Sequence, residues 1–131
     1  MCPDRAYQPG ACNIGSPEVR VRQLFFRFFL VFSLLLSVAS LYWSQSMWIW
    51  GVMLFTVFST WVLHFQIRYR FCILFGFFNL HNFRQLGHLA EVKNPEHARL
   101  DRKRVFEILI QSLAIALVYA SVVHLIAVQL H

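Results

Sequence analysis

Charge is missing from two long stretches of this 131-residue chain. Between Phe28 and Ile67, and again between Ile108 and Leu130, there is no Asp, Glu, Lys or Arg. With 58% of all residues apolar, only tails and one loop remain outside such runs, so a soluble globular domain is excluded. Acidic residues are scarce as well, six against twelve Lys and Arg, and none forms the spaced pair that general acid–base work requires. The three cysteines show no Cys-x-x-Cys spacing, and no Gly-rich phosphate loop or nucleophile beside a base is present. These absences predict a protein that is not an enzyme and holds no metal.

What is present is enough apolar length for three membrane spans. A helix needs about 20 mostly apolar residues to cross about 30 Å of hydrocarbon. Such stretches lie at 24–43 (TM1), 48–67 (TM2) and 106–130 (TM3). They are apolar on every face rather than alternating, which favours helices over a barrel. The expected fold is an all-α integral membrane protein, a single membrane domain over 1–131 with three transmembrane helices. Arg20 and Arg22 before an apolar run, with Ser37-Val38-Ala39 inside it, resemble a cleaved leader. The long preceding region and the length of the run favour a retained anchor.

The basic residues sort onto one side. Residues 1–20 form a tail, with Arg5 and Arg20 in it and Arg22 and Arg27 just after it, and residues 68–104 form a loop carrying eight Lys and Arg. The connection from Tyr42 to Trp48 has no charge but holds Trp43 and Trp48, aromatic rings that favour the head-group layer. Because Lys and Arg in short loops are retained on the cytoplasmic side, the N-terminus and the basic loop are expected in the cytoplasm and the C-terminus outside. The net charge of +6 is therefore read as orientation signals, with Arg99, Arg102, Lys103 and Arg104 meeting anionic head groups, and not as a nucleic-acid surface.

Local signals set the helix ends. Ser16 is expected to cap a helix starting at Pro17, and Asn94 to cap one starting at Pro95. With no breaker after Pro95, the last helix would run about 53 Å to Leu130. From Phe71 to Leu89 apolar residues recur at approximately helical spacing, which predicts an amphipathic segment in the inner interface; the alternative is a continuation of the second span.

Each span carries a stripe of small or polar residues three or four apart: Ser33, Ser37, Ser40 and Ser44; Thr56, Thr60 and His64; Ser112, Ala116, Ala120 and His124. Of these, Ser33, Ser37, Thr56, Thr60, Ser112, Ala116 and Ala120 are expected to pack helix on helix, with hydroxyls bonding across. The phenylalanines, Phe25, Phe28 and Phe55 among them, would face lipid. Histidines raise the question of a b-type haem. His64 and His124 lie at opposite depths, since His124 is about 25 Å along the helix from Glu107. His64 with His81 or His88 stays open, as does His124 with His131. The simpler reading is histidines hydrogen bonded at helix contacts. Cys12 precedes the first span and Cys72 follows the second, so a tight hairpin returns both to one interface. They form a candidate thiol site in a compartment where structural disulfides are not expected.

One resemblance joins several of these residues. Cys12-Asn13-Ile14-Gly15, then Glu18 and Arg20, closed after the hairpin by Arg70-Phe71-Cys72-Ile73-Leu74-Phe75-Gly76, resembles a small two-span bacterial inner-membrane domain found after rhodanese domains. That domain opens with Asn-x-Gly and closes with a Cys-containing segment; the Pro and Tyr usual after that Cys are absent here, and the likeness covers about residues 11 to 80. The resemblance implies the bacterial inner membrane and sulfur chemistry at Cys72. The sequence as a whole points to an accessory or assembly subunit of a larger respiratory or photosynthetic membrane complex, with lipid and other membrane subunits as partners. The alternatives are a redox, haem or sulfur-handling protein and a small oligomeric transporter.

Overall fold

The computed structural model describes residues 6–43 and 46–130. Three long helices, α1 (Ser16–Tyr42), α2 (Met47–Tyr69) and α4 (Pro95–Leu130), are long and apolar enough to cross a membrane by length and composition. Between α2 and α4 lie a short helix, α3 (Ile73–Phe78), and two two-residue strands, β1 (Leu80–His81) and β2 (Ala90–Glu91), paired antiparallel.

The ends of the long helices follow local chemistry. The Asn94 carboxamide accepts the Glu96 N–H at 2.9 Å, so Asn94 caps α4 as expected, and 36 residues make it about 54 Å long. The start of α1 differs from the expectation. Ser16 is already helical and Gly15 occupies the cap, because the Gly15 N–H is drawn to the Asn82 carbonyl at 2.8 Å while its own carbonyl receives the Val19 N–H. Glu18 then sits in the first turn, where the helix dipole favours a carboxylate.

The amphipathic segment expected over 71–89 is not one helix. Arg70 and Asn79 both adopt left-handed backbone (φ 50° and 58°), ending α2 and α3 respectively, and the chain then turns back through the β1–β2 pair. The apolar residues that suggested a single face serve different purposes. Phe71 is wholly buried in the core, whereas Leu74, Phe77, Phe78, Leu86 and Leu89 are exposed.

Two clusters hold the bundle. Met53, Val57, Ala116 and Val123 form one, with Trp50, Phe58, Trp61 and Tyr119 packed on it; Phe71, Val105 and Ile108 form the other at the basic end. Within the small-residue stripes Ser33, Ser37, Thr56, Thr60, Ser112 and Ala116 are buried and Ala120 packs on the first cluster, whereas His64 and His124, which the same spacing includes, are exposed. Ser44 lies outside the described residues. Their hydroxyls do not in general bridge helices. Ser33, Thr56 and Thr60 bond back to carbonyls three or four residues earlier in their own helix, which satisfies the group without a partner. Cross-helix contacts are Ser37 to the Tyr119 hydroxyl at 2.8 Å and Ser40 to the Met53 sulfur at 3.7 Å. The stripes thus work mainly by being small, which lets the helices approach. Outward, Phe25, Phe28 and Phe55 are exposed as expected, and Tyr42, Trp43 and Trp48 stand exposed around the uncharged turn.

Candidate functional site

Polar residues concentrate at the basic end of the bundle, where the segment before α1 folds back over the helix ends. It turns sharply between Gln8 and Cys12, whose backbones bond to each other. Two side chains of α4, one turn apart, then grip the Gly10 peptide. The Asp101 carboxylate accepts the Gly10 N–H at 2.7 Å, and the Arg104 Nε donates to the Gly10 carbonyl at 2.8 Å. The second Asp101 oxygen accepts the Tyr7 hydroxyl, also at 2.7 Å. Arg104 reaches Glu107 as well and lies over the Tyr69 ring, so it is turned inward. Arg99, Arg102 and Lys103 are exposed. The expected head-group set therefore splits, with Arg104 engaged in the fold.

Three residues after Gly10, Asn13 brackets the chain after α2. Its Oδ1 accepts the Cys72 N–H at 2.6 Å and its Nδ2 donates to the Cys72 carbonyl at 3.0 Å. The Asn13 and Ile14 N–H groups both donate to the Arg70 carbonyl, and the Asn13 carbonyl accepts the Asn82 N–H. Gly15 lets the backbone at Phe83 approach, since a Cβ there would lie 3.1 Å from the Phe83 Cα. Asn-x-Gly is thus a joint: one residue ties α1 to the end of α2 and the other admits the loop beyond.

A second layer secures that loop. Asn82, almost fully buried, donates to Glu18 Oε1 at 3.0 Å; Glu18 Oε2 pairs with Arg22 at 2.9 Å; Arg22 Nε donates to Gln66 Oε1 at 3.1 Å. Asn82 also donates to the Gln85 carbonyl and accepts the Arg84 N–H, and Arg22 Nη1 also donates to the Glu18 carbonyl, so the acid and the guanidinium each have several partners, which makes their burial tolerable.

The groups around Tyr7 are electrostatically strained. Asp101, fully buried in the charged stretch of α4 that precedes its apolar section, has its pKa raised by burial, which outweighs the Gly10 and Tyr7 hydrogen bonds and the nearby His97 and His81. Burial pushes the Tyr7 hydroxyl up too, helped by Asp101. The His81 ring, stacked on Tyr7 at 4.8 Å, is lowered by burial against the pull of Asp101.

The histidines and cysteines fall out as follows. His64 is exposed and touches Phe26, Trp61 and Phe65, whereas His81 belongs to the Tyr7 and Phe83 ring cluster; no ring contact joins the two. His88 is exposed, His124 stands edge-on to Trp50 at 5.1 Å, and His131 lies outside the described residues. Among the described residues no group of three His, Cys, Asp or Glu is placed to hold a metal ion. Cys12 and Cys72 do return to one end of the bundle, both buried, but not as a pair of thiols. Cys12 is disulfide-bonded, contrary to the expectation, while Cys72 is a free thiol. Their proximity comes from the Asn13 bracket, which acts on backbone atoms.

Asp101, Tyr7, Asn82 and Gln66 were not singled out from the sequence. The one signal was a lone acid inside Arg99-Leu100-Asp101-Arg102-Lys103-Arg104, where a carboxylate has local cations to pair with but instead turns inward to Tyr7 and Gly10. A separate cleft of about 290 Å³ opens between α1, α2 and α4, walled by Phe26, Ser33, Thr60, Trp61, His64 and Tyr119. No protein family, curated protein or solved structure matches this chain.

Proposed function

We propose that this is a non-catalytic subunit of the bacterial inner membrane that packs laterally on a larger, respiratory or photosynthetic, membrane complex as an accessory or assembly factor. The tail and basic end face the cytoplasm and α4 ends outside. The observation that carries the reading is the open cleft between α1, α2 and α4. Its walls combine large rings, Trp61 and Tyr119, with small hydroxyl positions, Ser33 and Thr60, whose hydrogen bonds are already made. Such a wall accepts the side of another transmembrane helix closely, and the exposed His64 imidazole in the same lining offers that helix a hydrogen bond. The occupant is a transmembrane helix of a partner subunit.

The knot of hydrogen bonds at the basic end, which begins next to the cleft where Arg22 meets Gln66, fits the same role. It locks α1, α2 and α4 into one rigid piece, as a docking body requires. The reading as a relative of the two-span domain found after rhodanese domains draws support from the Asn13–Cys72 bracket, which joins the opening and closing segments of the resemblance. Sulfur transfer is not proposed, because the Cys72 thiol is 2% exposed and Cys12 is disulfide-bonded.

The test is blue-native electrophoresis of gently solubilised membranes, followed by mass spectrometry of the band. The wild-type chain should migrate with a larger assembly, and Leu34→Trp, at an exposed position in the wall of the cleft, should shift it to the free form at unchanged abundance. A wild-type chain found only as a free monomer would refute the proposal.

A further inference from the structure

Beside the knot, a recess of about 360 Å³ lies between the end of α3, strand β2 and the first turns of α4. Lys93, Arg99 and Arg102 line it, together with Asn79, Val92 and Ala98. Among the described residues none of the three cations has an acidic side chain within salt-bridge distance, in contrast to Arg22 and Arg104, which are both paired. Three unneutralised positive charges converge on one concavity. Asn79, one of the lining residues, also carries a buried acceptor: its Oδ1 has no hydrogen-bond partner. An acceptor in that state is costly unless a ligand donor meets it.

Depth identifies the ligand. Leu100 is the one exposed large apolar side chain of α4 before Phe106; from Phe106 on, Ile110, Leu113, Leu117 and Val118 continue the exposed apolar surface, so Arg102 and Arg99 sit about 6 and 10 Å along the helix before its main part. A bilayer's polar layer is about 5–8 Å thick on each side of the hydrocarbon. Arg102 therefore lies at the level of the lipid phosphates, and the long side chain of Arg99, one turn further out, reaches back to that level. Directly before Asn79, the exposed rings of Phe77 and Phe78 supply an apolar surface for acyl chains. We infer that this recess binds one anionic phospholipid whose head group carries two phosphate charges, held by Lys93, Arg99 and Arg102, with a head-group hydroxyl donating to Asn79 Oδ1. A singly charged head group would leave two of the cations unmatched. The proposal is independent of the helix cleft described above.

Native mass spectrometry of the purified full-length chain in a neutral detergent provides the test, with added cardiolipin, phosphatidylglycerol or phosphatidylcholine. One cardiolipin should be retained per chain, at least tenfold more tightly than phosphatidylglycerol, and phosphatidylcholine should not be retained. The triple variant Lys93→Gln, Arg99→Gln, Arg102→Gln should lose at least tenfold in cardiolipin affinity. Asn79→Asp, which places a negative charge in the recess while tolerating its left-handed backbone, should also weaken retention. All four side chains can be changed without opening the core, and Arg99→Lys with Arg102→Lys should largely restore binding. A control pair outside the recess, Arg84→Gln with Lys103→Gln, should change affinity less than twofold. Equal losses from the control pair would show diffuse attraction to the basic end and overturn the site. Displacement of the lipid by millimolar inorganic phosphate would assign the recess to a soluble anion and overturn the lipid assignment.

Discussion

Replacing Asn13 tests the joint at the basic end most directly. In Asn13→Ala both bonds to Cys72 vanish, but the two halves of the Cys72 peptide do not suffer equally. The Cys72 carbonyl still accepts the Gly76 N–H at 2.9 Å, whereas the buried Cys72 N–H is left without an acceptor. An orphaned buried donor costs about 1–3 kcal/mol, and the small void left by the carboxamide adds to it. The expected loss is about 2–4 kcal/mol. Asn13→Asp discriminates further. It keeps an oxygen for the Cys72 N–H, yet it replaces the donor that lies 3.0 Å from the Cys72 carbonyl with a second oxygen. The introduced carboxyl is therefore favoured in its protonated form in the fold, which raises its pKa above the unfolded value. Its stabilising contribution is complete at low pH and is lost as pH rises through the folded-state pKa. Thermal unfolding in detergent micelles, followed by far-ultraviolet circular dichroism, should show both variants several degrees below wild type at pH 7. Only Asn13→Asp should recover towards wild type near pH 4. Equal deficits at both pH values, or an Asn13→Ala variant as stable as wild type, would refute the bracket.

Two further predictions concern the same end. Gly76→Ala places a Cβ 2.7 Å from the Phe71 ring and 2.8 Å from a Val105 methyl, so it should cost about 1–3 kcal/mol despite the better helix propensity of Ala, and Phe71→Leu should return part of that loss in a double-mutant cycle. Asp101 and His81 should give opposite pH dependences. With its pKa raised, Asp101 contributes stability that is complete below the ordinary carboxylate range and is lost as pH rises through its own pKa. With its pKa lowered, His81 contributes stability present above about 6.5 and lost as pH falls through its depressed pKa. Unfolding profiles of Asp101→Asn and His81→Gln should lack, respectively, the decline as pH rises above the ordinary carboxylate range and the decline as pH falls below about 6.5.

Some of this architecture was legible residue by residue. Asn94-Pro95 starts α4 because a cap and a fixed φ act within three residues, and the stripes from Ser33 to Ser40 and from Ser112 to Ala120 face inward because a 3.6-residue period decides what shares a face. The segment from Phe71 to Leu89 misled for the same reason. Its spacing was helical, but Asn79 leaves the helical region and the apolar residues answer to different surroundings. The stripe hydroxyls were also misjudged: spacing says which way Ser33 and Thr60 point, not whether a carbonyl of their own helix takes the hydrogen bond first.

By itself, the sequence determined the helical class and the three stretches long and apolar enough to cross a membrane. A run of uncharged residues as long as the hydrocarbon is thick admits few alternatives, and that property is additive along the chain. Only the tertiary structure decided the knot. Tyr7 and Asp101 meet across 94 positions of sequence, and Asn13 and Cys72 across 59. No local propensity encodes such a meeting; it arises because the hairpin of α1 and α2 and the return of α4 bring three chain ends to one level. There, buried polar groups far apart in sequence find their partners in one another, as Asp101 does in Tyr7 and Gly10 and Asn13 does in Cys72.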